Sequence, residues 1–202
     1  VVAFDIKNAF NTARWDKISE ALVRKGCPEY LIRMTEAYLS GRTLNVGGTQ
    51  IPITCGVPQG SVLGPCLWNL FYDSIVGLEI PNTTIVAYAD DLAVVTRGEN
   101  VEIAELYAQL AAMTIEYSLA DLGIALAPEK TEALLLAAPS SVQEAVIEVL
   151  GHKVCTSNTL KYLGVWLERG FRIGKHITEA SAKASGQVHA LQRLMKIDGP
   201  VQ

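Results

Sequence analysis

Apolar and polar positions alternate along this chain with two distinct periods, and the changes of period mark its elements. Residues 1–4 are a short apolar run broken at Asp5, the pattern of a buried strand that ends in a polar turn. Over 16–25, Ile18, Ala21 and Leu22 recur at helical spacing, and Gly26 stops the run. Pro28 can open a second helix with Leu31, Ile32, Thr35 and Leu39 on one face, closed by Ser40-Gly41. Gly47-Gly48 between the β-prone runs 43–46 and 50–54 reads as a hairpin.

Beyond a loop over 55–61, the apolar stretch 62–76 is too long for a strand and predicts a buried helix, with Ser61 as its N-cap. The segments 84–87 and 92–96 predict two strands separated by Tyr88-Ala89-Asp90-Asp91. Residues 101–122 predict the clearest amphipathic helix, followed by a loop over 126–130, a strand over 131–136 and another over 160–167. A last helix is predicted over 176–195, with Ala180, Ala184, Val188, Leu191 and Met195 three or four apart. The order β-α-α-β-β-α-β-β-α-β-β-α indicates an α+β fold, a sheet with its helices gathered on one face.

The 202 residues are 50% apolar and 19% charged, with a net charge of −4, enough apolar surface for a packed core and too little charge for a disordered chain. The longest apolar run, 133–138, is far below the roughly 18 residues of a membrane span, so no membrane association is expected. Cys27, Cys55, Cys66 and Cys155 match neither paired zinc spacing nor a dense disulfide framework, which makes a reduced, intracellular compartment the expectation. The chain starts with Val inside a strand, and is read as a fragment of a longer polypeptide. A pI of 5.4 hides an asymmetry. Residues 1–159 hold 10 Lys+Arg against 18 Asp+Glu, whereas 160–202 hold 7 against 3, so the C-terminal end is the expected anion-facing surface.

Two constellations carry chemistry. Asp90-Asp91, in a turn bounded by Ile85-Val86-Ala87 and Leu92-Ala93-Val94-Val95, holds like charges together on a buried hairpin, and Asp5 at another strand end can complete a hard-oxygen site for Mg²⁺. An Asp-Asp pair alone also fits a solvated turn. The second is the ten-residue segment from Gly56 to Pro65, with three glycines, two prolines and the hydrogen-bonding side chain of Gln59, where the backbone can approach a ligand just ahead of a helix. Taken alone, it fits a rigid turn.

Phe4-Asp5-Ile6-Lys7-Asn8-Ala9-Phe10, then Gly56-Val57-Pro58-Gln59-Gly60-Ser61, then Tyr88-Ala89-Asp90-Asp91, in this order, resemble the palm of reverse transcriptases. Asn8-Ala9-Phe10-Asn11 and Ser61-Val62-Leu63-Gly64-Pro65 look most like the LINE-type (non-LTR) retrotransposon enzymes. The resemblance implies a polymerase palm over 1–159 and, over 160–202, a primer-grip hairpin and the start of a thumb. It implies an RNA-directed DNA polymerase that adds deoxynucleoside triphosphates to a DNA primer on an RNA template with two Mg²⁺ ions, Mn²⁺ being a possible substitute.

By the same resemblance Asp5 and Asp90 are the metal-binding aspartates and Asp91 the accessory carboxylate. Phe10 floors the ribose pocket and excludes a 2′-hydroxyl, and Ala9 lines the same pocket. Gln59 contacts the incoming nucleotide, and Gly60 lets the template pass. Lys130 protonates departing pyrophosphate, and Leu163 and Gly164 form the primer grip, with Arg169, Arg172, Lys175, Lys183, Arg193 and Lys196 on phosphates. The partners implied are the RNA template, the DNA primer, the nucleotide and the rest of a retrotransposon polyprotein, in nucleus and cytoplasm as a ribonucleoprotein. The family's fingers and most of its thumb are not in the sequence, so the isolated piece is expected to be inactive or very weak. The alternatives are a group II intron maturase and a catalytically silent palm-like scaffold. Phe10 argues against an RNA polymerase, and no alternating Asp/Asn loop with a terminal Glu supports a structural calcium site.

Overall fold

Val2 and Phe4 are buried while Ala3 between them is partly open, so the first strand, β1 (Val2–Phe4), turns one face to the core. The computed structural model of the chain describes residues 1–138 and 144–194. A one-turn helix, α1 (Ala9–Thr12), leads to α2 (Trp15–Arg24), α3 (Glu29–Leu39) and an exposed hairpin of β2 (Thr43–Val46) and β3 (Thr49–Pro52). Next come α4 (Gly64–Val76), the hairpin of β4 (Thr83–Tyr88) and β5 (Asp91–Thr96), α5 (Val101–Leu122) and a 3-10 turn at Pro128–Lys130. The chain continues through β6 (Glu132–Leu134), β7 (Val146–Val149), β8 (His152–Ser157), β9 (Thr159–Tyr162) and β10 (Val165–Glu168) to α6 (Gly174–Leu194).

Six strands form one sheet in the order β4-β5-β1-β6-β8-β7. Every pair is antiparallel except β6 with β8, which is parallel. The register lines up Ile85, Val94 and Val2 in one row and Ala87, Leu92 and Phe4 in the next. These rows face α4 and α5, which pack against β4, β5 and β7 as expected of helices on one face. Phe71 and Ile75 of α4 and Ala111 and Ile115 of α5 are fully buried there. On the opposite face the edge strand β4 is exposed, with Val86 39% and Tyr88 68% accessible. No helix among the described residues is long and apolar enough to cross a membrane, and all four cysteines are free thiols.

α5 spans the range its periodicity predicts because both ends are capped. The Asn100 side chain accepts the Ile103 N–H at 2.8 Å, and Gly123, at φ 75°, turns the chain so that Gly123 and Ile124 donate to the carbonyls of Ala120 and Leu119. Elsewhere the structure corrects the sequence. α4 starts at Gly64 rather than at residue 62, because the Ser61 hydroxyl donates to the Pro58 carbonyl and accepts the Gly64 N–H, curling the chain before the helix begins. The strand expected over 160–167 is a hairpin folded at Leu163 and Gly164, with φ of 47° and 82°. The strand expected over 131–136 ends at Leu134. Met195, Lys196 and the side chain of Arg193 lie outside the described residues.

Three elements had no expectation: α1, too short for periodicity to register, and the pair β7–β8. The β7–β8 turn is Leu150-Gly151, both at positive φ (50° and 78°), and leucine there hides the hairpin within an apolar run. β7 is the last strand of its sheet, and α5 satisfies its outward backbone. Glu105 accepts the Val146 N–H at 2.7 Å, while the Gln109 amide accepts the Glu148 N–H at 2.8 Å and donates to the Glu148 carbonyl at 2.9 Å. Gln109→Ala should therefore cost about 0.5–1.5 kcal/mol in urea unfolding, since it removes side-chain bonds from both groups of an exposed strand edge. A variant as stable as the parent would mean that water replaces the side chain at no cost.

Candidate active site

The register that aligns the core rows also sets the acidic residues. Phe4 pairs with Leu92, so one step further along two antiparallel strands puts Asp5 beside Asp91. Phe4 and Leu92 point into the core, and alternation turns both aspartates to the opposite face. Asp90 is carried by the turn that joins β4 to β5. That turn is closed by the pairing of Tyr88 with Asp91, and its first central residue, Ala89, sits at φ 54°. The left-handed region costs an alanine about 1–2 kcal/mol, so the surrounding structure must hold it there. One holder is visible: the Trp68 indole N–H donates to the Ala89 carbonyl at 2.7 Å.

Lys130 arrives at the same place by a separate route. After α5 ends at Gly123 the chain runs back along the end of β1, pairing Leu126 with Ile6 and donating the Ala127 N–H to the Asp5 carbonyl at 2.8 Å. The 3-10 turn then swings Lys130 round until its Nζ is 3.4 Å from Asp5 Oδ2, with both side chains substantially exposed.

The Gly56–Pro65 segment and the Phe10 segment are stitched together. Gly56 donates to the Ala13 carbonyl at 2.7 Å, Val57 to the Phe10 carbonyl at 2.8 Å, and the Trp15 indole to the Gly56 carbonyl at 2.8 Å. A Cβ on Gly56 would come 2.9 Å from the Asn11 carbonyl oxygen, and one on Gly64 would come 2.5 Å from that of Pro58, so both positions exclude other residues. Gly60 differs: at φ 78° it faces open space, next to an exposed Gln59. Ala9 is buried, and the partly buried Phe10 ring stacks on Trp68 with centroids 4.8 Å apart. Trp68 stacks in turn on Tyr72 at 5.3 Å.

The β9–β10 hairpin reaches the same hairpin end. The Tyr162 hydroxyl lies 3.3 Å from the Val86 carbonyl and 3.4 Å from the Asp91 carbonyl, next to the turn of Leu163 and Gly164. At the base of the hairpin Lys175 lies over the Trp166 ring at 3.5 Å and donates to the Thr159 hydroxyl, and its backbone N–H donates to Glu168 at 2.6 Å, tying α6 to β10. Arg169 and Arg172 line a cavity of about 500 Å³ beside it with Thr159 and Glu168.

Electrostatics favour a cation at this sheet end. Partial burial pushes the Asp91 carboxyl above its ordinary value, and the charges of Asp90 and Asp5 push it further. Burial first, then Tyr162 and Asp90, raise the Tyr72 phenol, whose hydroxyl is buried with no hydrogen-bond partner among the described residues. The donors are carboxylate oxygens, the type Mg²⁺ and Mn²⁺ prefer. Among the described residues no three His, Cys, Asp or Glu side chains already surround one point, so closure on an ion would need carboxylate rotation away from Lys130.

The antiparallel-rich sheet with acidic residues at one end, backed by two helices, is the fold of a polymerase palm. Residues 1–167 match the family described as "Reverse transcriptase (RNA-dependent DNA polymerase)". The chain belongs to that family. It is 28% identical over 199 residues to the 115 kDa protein of the type-1 retrotransposable element R1DM of Drosophila melanogaster, covering 96% of this chain and 19% of that protein. It is 26% identical over 185 residues to the RNA-directed DNA polymerase from the mobile element jockey of the same fly, covering 86% and 20%. The chain thus spans about a fifth of these relatives. The apo telomerase of Candida tropicalis, truncated from its C-terminal domain, shares the fold with a TM-score of 0.58 at 14% identity, over 83% of this chain and 33% of that one.

Asp5, Asp90, Asp91 and Lys130 gather at one sheet end, with the Phe10 and Gln59 segments joined alongside and Tyr162 bringing in Leu163 and Gly164. Sequence reasoning missed Trp68, Tyr72 and Tyr162. The only available signal was the aromatic pair of Trp68 and Tyr72 four residues apart on a helix, which reads as ordinary core.

Because the Asp91 carboxyl is raised in the fold, its stabilising contribution is complete below the ordinary aspartate range, near pH 4, and is lost as pH climbs through the raised value. Asp91→Asn should therefore melt higher than the parent at pH 7 in EDTA, with the gap closing towards pH 4. A variant that melts lower at pH 7 would show that the charge is stabilised rather than repelled.

Proposed function

We propose that this chain is the palm of an RNA-directed DNA polymerase encoded by a non-LTR retrotransposon. The observation that carries the reading is the register placing Asp5 beside Asp91, next to the turn that bears Asp90. In this reading Asp5, Asp90 and Asp91 hold two Mg²⁺ ions, with Mn²⁺ as a substitute. The chemistry such ions supply is activation of the primer 3′-hydroxyl and neutralisation of the charge on the departing pyrophosphate.

The other residues bind, orient and exclude. Phe10, braced by Trp68, sets a wall where a ribonucleotide would carry its 2′-hydroxyl, and Ala9 keeps the floor beside it shallow. The exposed Gln59 is free to bond the incoming nucleotide, and the open surface at Gly60 leaves room for the template strand. Lys130, already within reach of Asp5, is placed to give a proton to pyrophosphate. Leu163 and Gly164 support the primer end, anchored to the catalytic hairpin through Tyr162. Residues 1–159 serve as the palm, and 160–202 as primer grip and thumb entry, where Arg169, Arg172, Lys175 and Lys183 meet backbone phosphates without reading sequence. The partners are an RNA template, a DNA primer, deoxynucleoside triphosphates and the remainder of the element's polyprotein, in a ribonucleoprotein of the cytoplasm and nucleus. The Ser61-Val62-Leu63-Gly64-Pro65 spelling favours this reading over an intron maturase, and the clustered carboxylates of Asp5, Asp90 and Asp91 favour it over a catalytically silent scaffold.

Primer extension on an RNA template by the full-length protein that carries this chain tests the reading. Asp90→Ala should reduce extension to background, and Phe10→Val should raise ribonucleotide use relative to deoxynucleotide use by about tenfold or more. Extension that survives Asp90→Ala contradicts the proposal.

A further inference from the structure

Trp68 lies on α4, directly beneath the hairpin turn that carries Asp90. It is 1% exposed, and a buried indole has one donor and no acceptor, so its N–H demands a carbonyl. The carbonyl it meets, 2.7 Å away, belongs to Ala89, whose backbone is left-handed and whose next residue is Asp90. Two-residue turns with positive φ at the first central position usually use glycine there, and alanine needs an outside anchor to keep one geometry. The indole is that anchor, and it grips the peptide from which the Asp90 side chain hangs. The same ring also stacks with Phe10, at 4.8 Å. A single side chain therefore touches both the turn that bears the carboxylates and the wall that faces the sugar.

We infer that Trp68 is a positioning residue with two separable contacts: its N–H fixes Asp90 for divalent metal, and its ring braces Phe10 for sugar discrimination. The inference rests on the polymerase reading.

The test uses the full-length protein and two readouts: Mn²⁺ binding followed by loss of the free-ion paramagnetic resonance signal, and the ratio of ribonucleotide to deoxynucleotide incorporated on an RNA template. Trp68→Phe keeps a ring and loses the N–H. It should weaken Mn²⁺ binding by about tenfold, the factor one ordinary hydrogen bond supplies, while leaving the sugar ratio unchanged. Trp68→Leu should move both readouts. If Trp68→Phe fails to fold, benzothienylalanine incorporated at position 68 keeps the bicyclic shape and replaces the N–H with sulfur. Unchanged Mn²⁺ binding in a folded protein without the N–H overturns the inference and leaves the polymerase reading intact, as does a sugar ratio that shifts with Trp68→Phe. Wild-type protein with no Asp90-dependent Mn²⁺ binding and no extension overturns the polymerase reading itself.

Discussion

Asp5 stands beside Asp91 only because β1 runs antiparallel to β5 with Phe4 opposite Leu92, and the rest of the structure serves to keep that register. A slip of one residue would turn Val2 and Phe4 out of the core and point Asp5 into it. The penalty is large because the two rows around this pairing are packed against α4 and α5. The register is thus secured by apolar burial, while its product is a cluster of acidic groups that repel one another. Partial burial first, and then the charges of Asp90 and Asp5, raise the Asp91 carboxyl, while the Lys130 ammonium stands beside Asp5. Burial of the apolar rows thus stabilises a fold whose acidic end brings like charges together.

The same logic explains why the turn between β4 and β5 is built on Ala89 rather than on glycine. A glycine would reach φ 54° without strain, but it would leave the turn free to move. Alanine narrows the choices, and the indole of Trp68 selects among them. Around this point the Phe10 segment is laced to the Gly56 loop through backbone bonds, and the β9–β10 hairpin is held by the Tyr162 hydroxyl. Each motif is separated by tens of residues from the next, and each is tied to a neighbour by at least one hydrogen bond of its own.

Much of this was legible in the sequence where a local rule dominates. α5 was readable from its amphipathic period, and the β4–β5 hairpin because two apolar runs flank an acidic pair. The β7–β8 hairpin was not, since its turn uses Leu150 at positive φ, a choice tertiary packing permits and turn statistics do not suggest. The hairpin at Leu163 and Gly164 was readable only through resemblance, for the same reason. The acidic residues could be singled out because clustered carboxylates show in residue type, and Phe10 through the resemblance alone. Trp68, Tyr72 and Tyr162 could not, because an aromatic side chain in a core pattern shows no sign of where its N–H or O–H points. Long-range hydrogen bonds between side chain and backbone leave no period in the sequence.

We propose that Asp5, Asp90 and Asp91 together hold divalent metal. Thermal melting with and without Mn²⁺ addresses it most directly. Ligand linkage at a free concentration of 100 times Kd amounts to about 2.7 kcal/mol of added stability. The parent protein should melt at a clearly higher temperature as Mn²⁺ is added, and Asp5→Asn should remove that gain. A melting temperature that ignores Mn²⁺, or one that rises equally in parent and Asp5→Asn, would contradict the account.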